Sequence, residues 1–412
     1  MTAPVPSRSL NPFRTLARYR NFRIFWIGQS VSLIGSWMQQ VAVGWLALEL
    51  SNDAFLVGVV AAAGTLPILL FSLPGGMLAD RSDKLKIIRT AQALMLCEAT
   101  ALWWLAWTGH LTIGWLIALT SIGGLLAAFE IPARQALWVH LVDREDLPKA
   151  IGLNSMGFNL ARVLGPSIAA IVIAKAGIAW TFGINALSFL AVLASLAIMA
   201  VPPAARDLEG AKKSALEGMR EALHYVRHTK PLPALMLVAM VFSILGVPVI
   251  TLLPVVARDV LGLGAEGYGA LMATLGIGAM VGALGIAATG GGATKGRTLW
   301  WASHLFPALL LLFSLTRIVE LNGILLFAVG ITMIINNALV NSRLQEIVPD
   351  AMRGRVISLY IMVYIGGSPI GSFVGGALAK AFGAAWAIGG TAALMLLFAL
   401  WVFRREPTLT AH

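Results

Sequence analysis

Apolar residues in this chain come in long unbroken blocks separated by short polar joins. Twelve blocks run at approximately 24–48, 54–79, 87–108, 112–136, 149–175, 179–201, 232–257, 267–290, 298–316, 322–343, 354–379 and 383–403. A helix needs about 20 apolar residues to cross the hydrocarbon core of a bilayer. The blocks are continuous and do not alternate, so they predict transmembrane helices and not barrel strands. The expected fold class is an all-α integral membrane protein with twelve spans.

The longest polar stretch, 202–231, divides the spans six and six. Within it Leu216, Met219, Leu223 and Val226 recur at helical spacing, opposite Arg220, Glu221 and Arg227. That pattern predicts an amphipathic helix lying along the membrane surface and tethering two halves. The implied segments are a basic arm at 1–23, a first half at 24–201, the linker at 202–231, a second half at 232–403 and a tail at 404–412. The halves read as repeats of one another. "SLIGSWMQ" (32–39) aligns with "SILGVPVI" (243–250), and "LVDREDLPKAIGLN" (141–154) with "IVPDAMRGRVISLY" (347–360). Continuing the second register puts Gly165 on Gly371. Two six-helix bundles meeting at a central site is a transporter architecture.

Composition agrees: 58% of residues are hydrophobic and 12% charged, with a mean hydropathy of +0.83, where soluble domains carry about a quarter charged residues. The net charge of +11 might suggest nucleic acid, but its distribution argues otherwise. Of the 30 Lys and Arg, 25 fall on the arm, the tail, or the even-numbered connections and the block ends beside them. Only Lys175, Arg258, Arg317 and Lys380 lie at the opposite ends, and Arg162 alone lies near the middle of a block. This asymmetry is the positive-inside pattern. It predicts a multi-pass plasma-membrane protein with both termini cytosolic and contact with anionic lipid. Tryptophans near the block ends, Trp103, Trp104, Trp107, Trp115, Trp138, Trp180, Trp300, Trp301, Trp386 and Trp401, read as an aromatic belt; Trp37 sits mid-span.

Chemistry beyond transport finds little support. "GGGATKGR" (290–297) has Lys-Gly where a phosphate loop needs Gly-Lys-Ser/Thr. "GIGAMVGALG" (276–285) lies in an apolar run and suits close helix packing better than a dinucleotide. Cys97 is the only cysteine, and no metal-ligand cluster stands out. No enzyme activity, cofactor or metal is expected.

Residues 75–84, "GGMLADRSDK", interrupt the apolar pattern with Asp80, Arg81, Asp83 and Lys84. The stretch resembles the loop between spans 2 and 3 of the major facilitator superfamily, with Gly76, Leu78, Ala79, Asp80 and Arg81 matching in position and Asp83 standing where the pattern has Gly. Gly152, Ala161, Gly165, Pro166, Ala169 and Ala170 resemble the span-5 motif of its exporters. Residues 131–166 and 343–376 are similar to the bacterial branch of enterobactin and macrolide exporters. The resemblance implies the major facilitator fold, two pseudo-symmetric six-helix bundles working by alternating access. It also implies a gating group of Gly76, Asp80, Arg81, Lys84, Glu130 and Arg134. In it Asp80 faces the N-terminal end of span 11 and Glu130 accepts the charge of Lys84. This latch would hold the outward-facing state; marking the membrane edge is the plainer reading of the same charges.

Ionisable groups at bilayer depth are costly and usually face a cavity or a partner. Glu98 in span 3 and Arg162 in span 5 are therefore candidates for proton coupling, with a neutral hydrogen-bonded Glu98, and for Arg162 a structural tie to span 1 or 4 or contact with substrate, as alternatives. Gln29, Ser32, Ser36 and Gln39 form one polar stripe on span 1. With Asn336, Asn337 and Asn341 of span 10 and Tyr360 and Tyr364 of span 11, they are the expected substrate-facing residues, and interhelical hydrogen bonding is their alternative. Pro248, Pro254 and Pro369 are expected kinks. The implied function is proton-driven export of a small amphipathic compound, a drug-like molecule or siderophore, by a monomer. A lipid or lysolipid flippase of the same fold and a non-transporting accessory protein remain as alternatives.

Overall fold

The computed structural model describes residues 13–199, 215–289 and 295–410. A short helix α1 (Phe13–Arg18) leads into six long ones: α2 (Arg20–Ser51), α3 (Ala54–Arg81), α4 (Lys84–Trp107), α5 (Ile113–Trp138), α6 (Leu147–Ala176) and α7 (Ala179–Ile198). The polar α8 (Ala215–His228) follows. The second set comprises α9 (Leu232–Gly246) with α10 (Pro248–Val255), then α11 (Ala265–Thr289), α12 (Lys295–Leu315), α13 (Val319–Ile347), α14 (Asp350–Phe382) and α15 (Ala384–Arg405). Among the described residues eleven helices are long and apolar enough to cross a membrane, counting Leu232–Val260 as one. The twelfth expected span is α4, which begins with Lys84, Lys86 and Arg89 and carries Glu98. Pro248 falls where the seventh span breaks after Gly246, and a π-helical turn, Val256–Val260, follows the second proline, Pro254. Pro369, by contrast, leaves α14 continuous.

Within the first half α2 packs on α6 and α7, α3 on α5, and α4 on α5 and α7. In the second half α11 packs on α13, α12 on α13 and α15, and α9 on α14. Two seams join the halves, α3 with α14 and α6 with α11. Without an apolar driving force between helices in lipid, such seams need small residues so that backbones approach. Gly58 and Gly376 fulfil this for α3 and α14, and Gly276 for α6 and α11; Gly165 and Gly371, aligned by the repeat, do the same within each half. A Cβ on Gly165 would meet Trp37 and the carbonyl of Ile34 in α2, and one on Gly371 would meet the carbonyl of Ile244 in α9. Each half thus seats its fifth helix on its first.

Two sequence expectations change. Trp138 is not a belt residue: it is buried, with its ring 5.1 Å from Phe22 and 5.3 Å from Phe25. The linker helix packs on α14, burying Ala222 and Val226 while Leu223 stays exposed, and Glu221 pairs with Arg355 at 2.7 Å. Residues 202–214 and the side chain of Leu216 lie outside the described residues, as does Arg8 of the arm.

Candidate functional site

A cavity of about 490 Å³ lies between the halves, walled by α2, α3, α4, α5 and α7 on one side and by α10, α11 and α14 on the other. Glu98 is its only acidic lining residue. Only 5% of Glu98 is exposed, and it forms no ion pair among the described residues. The Gln39 amide donates to both its carboxylate oxygens, at 3.1 and 3.3 Å. Asn185 donates in turn to Gln39 Oε1 at 2.7 Å, and the Ser188 hydroxyl lies 2.7 Å from the Asn185 carbonyl and 3.1 Å from Asn185 Oδ1, with one proton to give between them. Helical geometry makes this chain possible, since Gly35 lets α7 approach α2 so closely that a Cβ there would strike Ser188 and Asn185. Both amide donors, of Asn185 and Gln39, point toward Glu98. Apolar and small residues, among them Val57, Val60, Gly123, Ala127 and Met272, form most of the remaining wall.

A second cavity of about 190 Å³ adjoins the first, sharing Gln40, Val247, Ile250 and Met272 with it. Arg162 lines it with Trp37, Asn336, Asn337 and Tyr364. The guanidinium donates through Nη2 to Asn159 Oδ1, 3.2 Å away on its own helix, and its buried Nε makes no hydrogen bond. The tie to another helix expected for Arg162 is absent among the described residues. Asn336 donates to Ser303 at 2.7 Å, and Tyr360 donates to Asn337 Oδ1 at 3.0 Å, so Tyr360 buttresses the wall from behind. Asn341 lies elsewhere, in a groove with Gln345 and Glu346.

The span-1 stripe divides. Ser36 and Gln39 reach the first cavity, whereas Gln29 and Ser32 are buried and line neither cavity. Asn185, Gln40 and Tyr268 were not anticipated. The available signal was an isolated polar group in an apolar span, as in "FGINALS" (182–188), which is the same signal that singled out Glu98.

The halves are bridged by polar contacts at one end and, among the described residues, not at the other. At the first end Lys380 of α14 donates to Asp53 at 2.6 Å, and Arg258 donates to Asn52 at 2.7 Å. The Lys380 ammonium holds the Asp53 carboxyl below the usual carboxylate range, helped by the Phe55 N–H and opposed by desolvation. Gly58 and Gly376 let α3 and α14 touch just below, since a Cβ on either would meet the other's backbone at 3.0 Å. Arg258 and Lys380 are two of the four cations on the sparsely charged side of the sequence, so their placement serves contact between halves.

At the opposite end Asp80, Arg81 and Lys84 make no hydrogen bond or ion pair among the described residues. A Cβ on Gly76, Gly152 or Gly354 would meet nothing within 4 Å. The expected pairing of Lys84 with Glu130 is not formed; Glu130 is buried against Arg134 at 2.8 Å and accepts from Gln92 at 3.2 Å. Asp83 has a local role instead. It caps α4, accepting from the backbone of Leu85 at 2.9 Å and Lys86 at 3.3 Å. In the second half Lys295, which opens α12, pairs with Glu346 at the end of α13, so that half takes its acidic partner from another helix.

Two seams related by the repeat and a central cavity between the halves define a membrane transporter of major facilitator type. Residues 7–410 match the family described as transmembrane secretion effector, and the chain belongs to that family. It is 27% identical over 411 residues to the enterobactin exporter EntS of Shigella boydii, covering 94% of each chain. It is 25% identical over 248 residues to macrolide efflux protein A of Streptococcus pyogenes, covering 59% of this chain and 61% of that one. Among solved structures, a bacterial homolog of the human lysosomal transporter Spinster, inward-facing and unoccupied, superimposes with a TM-score of 0.74. It has 14% identity and covers 98% of this chain and 100% of the other. A peptide transporter POT in complex with sulfate gives 0.72, with 14% identity and 98% and 99% covered.

Proposed function

We propose that this chain exports a small amphipathic compound across the bacterial plasma membrane in exchange for protons, by alternating access, with both termini cytosolic. The observation that carries the reading is Glu98. It is a carboxylate without a cationic partner, buried at bilayer depth, on the wall of the cavity between the halves. Such a group can take a proton from one side and release it to the other as the cavity changes access. The Gln39–Asn185–Ser188 chain fixes its position and ties its protonation to the packing of α2 on α7. Apolar walls with few polar groups suit a drug-like or siderophore cargo, and relatives named for macrolide efflux and enterobactin export support that class.

The positive-inside pattern supports assigning the Asp80 end to the cytosol, which makes this conformation inward-open. Asp80 and Lys84 then engage when the cytosolic side closes, as Asp53–Lys380 and Asn52–Arg258 part. The test is flux in proteoliposomes under an imposed pH gradient, with a panel of siderophores, macrolides and lysolipids. Gradient-driven movement of a siderophore or macrolide is expected. Gradient-independent movement of lysolipid alone contradicts the reading, and so does a panel in which nothing moves.

A further inference from the structure

Arg162 stands near the middle of α6 (Leu147–Ala176), away from both span ends, and it presents a charge that the protein does not satisfy. Its guanidinium is always ionised and carries five donors in a planar fork. One of them reaches Asn159, and the buried Nε reaches nothing. No Asp or Glu lines the cavity it faces. An unpaired cation at bilayer depth costs several kcal/mol or draws in an anion. The backbone is held at the seam between halves, where a Cβ on Gly276 of α11 would stand 2.8 Å from the Arg162 carbonyl. Tyr364 and Asn337 supply further polar groups on the same wall, while Trp37, Phe242 and Phe306 supply an aromatic one.

From this arrangement we propose that Arg162 is an anion-binding residue of the cargo site, and that the cargo is an amphipathic acid whose carboxylate, or similar planar oxyanion, docks on the guanidinium. Its apolar body lies among the aromatic residues and extends toward the adjoining Glu98 cavity. The site then has a cation at one end and a proton-accepting carboxylate at the other. An anion seated on Arg162 joins α6 of the first half to α13 and α14 of the second, so cargo would bear on the surfaces that move. The inference deepens the transport reading and rests on it for its purpose, but not for its test.

The test is equilibrium dialysis of the full-length protein in nanodiscs, with no gradient, against 2-naphthoate, its neutral amide and 2-naphthylmethylamine. A charge-assisted pair at a desolvated site corresponds to roughly 10-fold or more in affinity. The acid is expected to bind more tightly than the amide by that factor, with the amine weakest. Arg162→Gln should bring the acid to the level of the amide and leave the amide unchanged. Arg162→Lys should keep part of the preference, because a point charge replaces the fork. Equal binding of acid and amide by the native protein overturns the inference even if no variant folds, and so does a preference that survives Arg162→Gln. If acid preference is lost while gradient-driven flux persists, this inference alone falls; if the preference holds while flux is gradient-independent, the antiport reading falls.

Discussion

Gln39 spends both sides of its amide on two different helices, donating to Glu98 on α4 and accepting from Asn185 on α7. A residue so committed is a positioning group and not a free contact for cargo. The cost of a buried carboxylate is reduced by such hydrogen bonds but not cancelled. That Glu98 is unusual was legible, because one carboxylate in an apolar span has to be explained. That it faces the cavity was not, because α4 carries apolar residues on every side and its polar partners come from other helices. The stripe on α2 misled for the same reason: Gln29 and Ser32 share a face with Ser36 and Gln39, yet lie where neighbouring helices cover them. Packing at the residue scale is testable at Gly165. Its place against Trp37 and Ile34 leaves no room for a larger side chain, so Gly165→Val should destabilise by about 1–3 kcal/mol through overpacking. Thermal unfolding in detergent should show a lowered midpoint, whereas Gly76→Val, with nothing within 4 Å, should leave it unchanged. Equal midpoints for the two variants would contradict the packing described.

At the level of elements, the spans and the twofold repeat were legible because bilayer thickness dictates helix length and the repeat leaves matching glycines. The bridges between halves were not, because they join residues more than 200 positions apart and the short connections carrying them look like ordinary turns. Asp53 caps α3 and binds Lys380 of α14 at once. Its carboxyl titrates below the usual carboxylate range because of that ammonium. The bridge therefore favours closure of this end above the ordinary carboxylate pKa, and the contribution is lost as pH falls through the depressed value. Asp53→Lys should open this end, and the swap of Asp53→Lys with Lys380→Asp should restore closure. Spin-label distances across the opening, measured in a Cys97→Ser background, should lengthen in the single variant and return in the double. No change in the single variant would show that the glycine contact of α3 with α14 holds this end without the ion pair. The cap made by Asp83 is a smaller correction of the same kind. Asp83, standing where the family pattern has Gly, is a helix start with its own hydrogen bonds.

For the molecule as a whole, polar contacts bridge the halves at one end, and at the other Asp80 and Lys84 have no side-chain partner among the described residues. The proposed cycle requires the reverse arrangement to exist. Cysteines at Asp80 and Gly354, again with Cys97→Ser, should crosslink only in the closed-cytosol state and arrest transport when they do; a crosslink absent under all turnover conditions would remove Asp80 from the gate. The central claim is that export is driven by proton entry through Glu98, and it is tested most directly by recording proton movement and cargo movement together in proteoliposomes. With the native protein, adding cargo on the side from which it is exported should move protons in the opposite direction. With Glu98→Gln, cargo exchange should persist at no net gradient, while cargo-driven proton movement should fall by at least about tenfold, since the carrier group no longer titrates. Cargo-driven proton movement that is unchanged in Glu98→Gln would contradict the account.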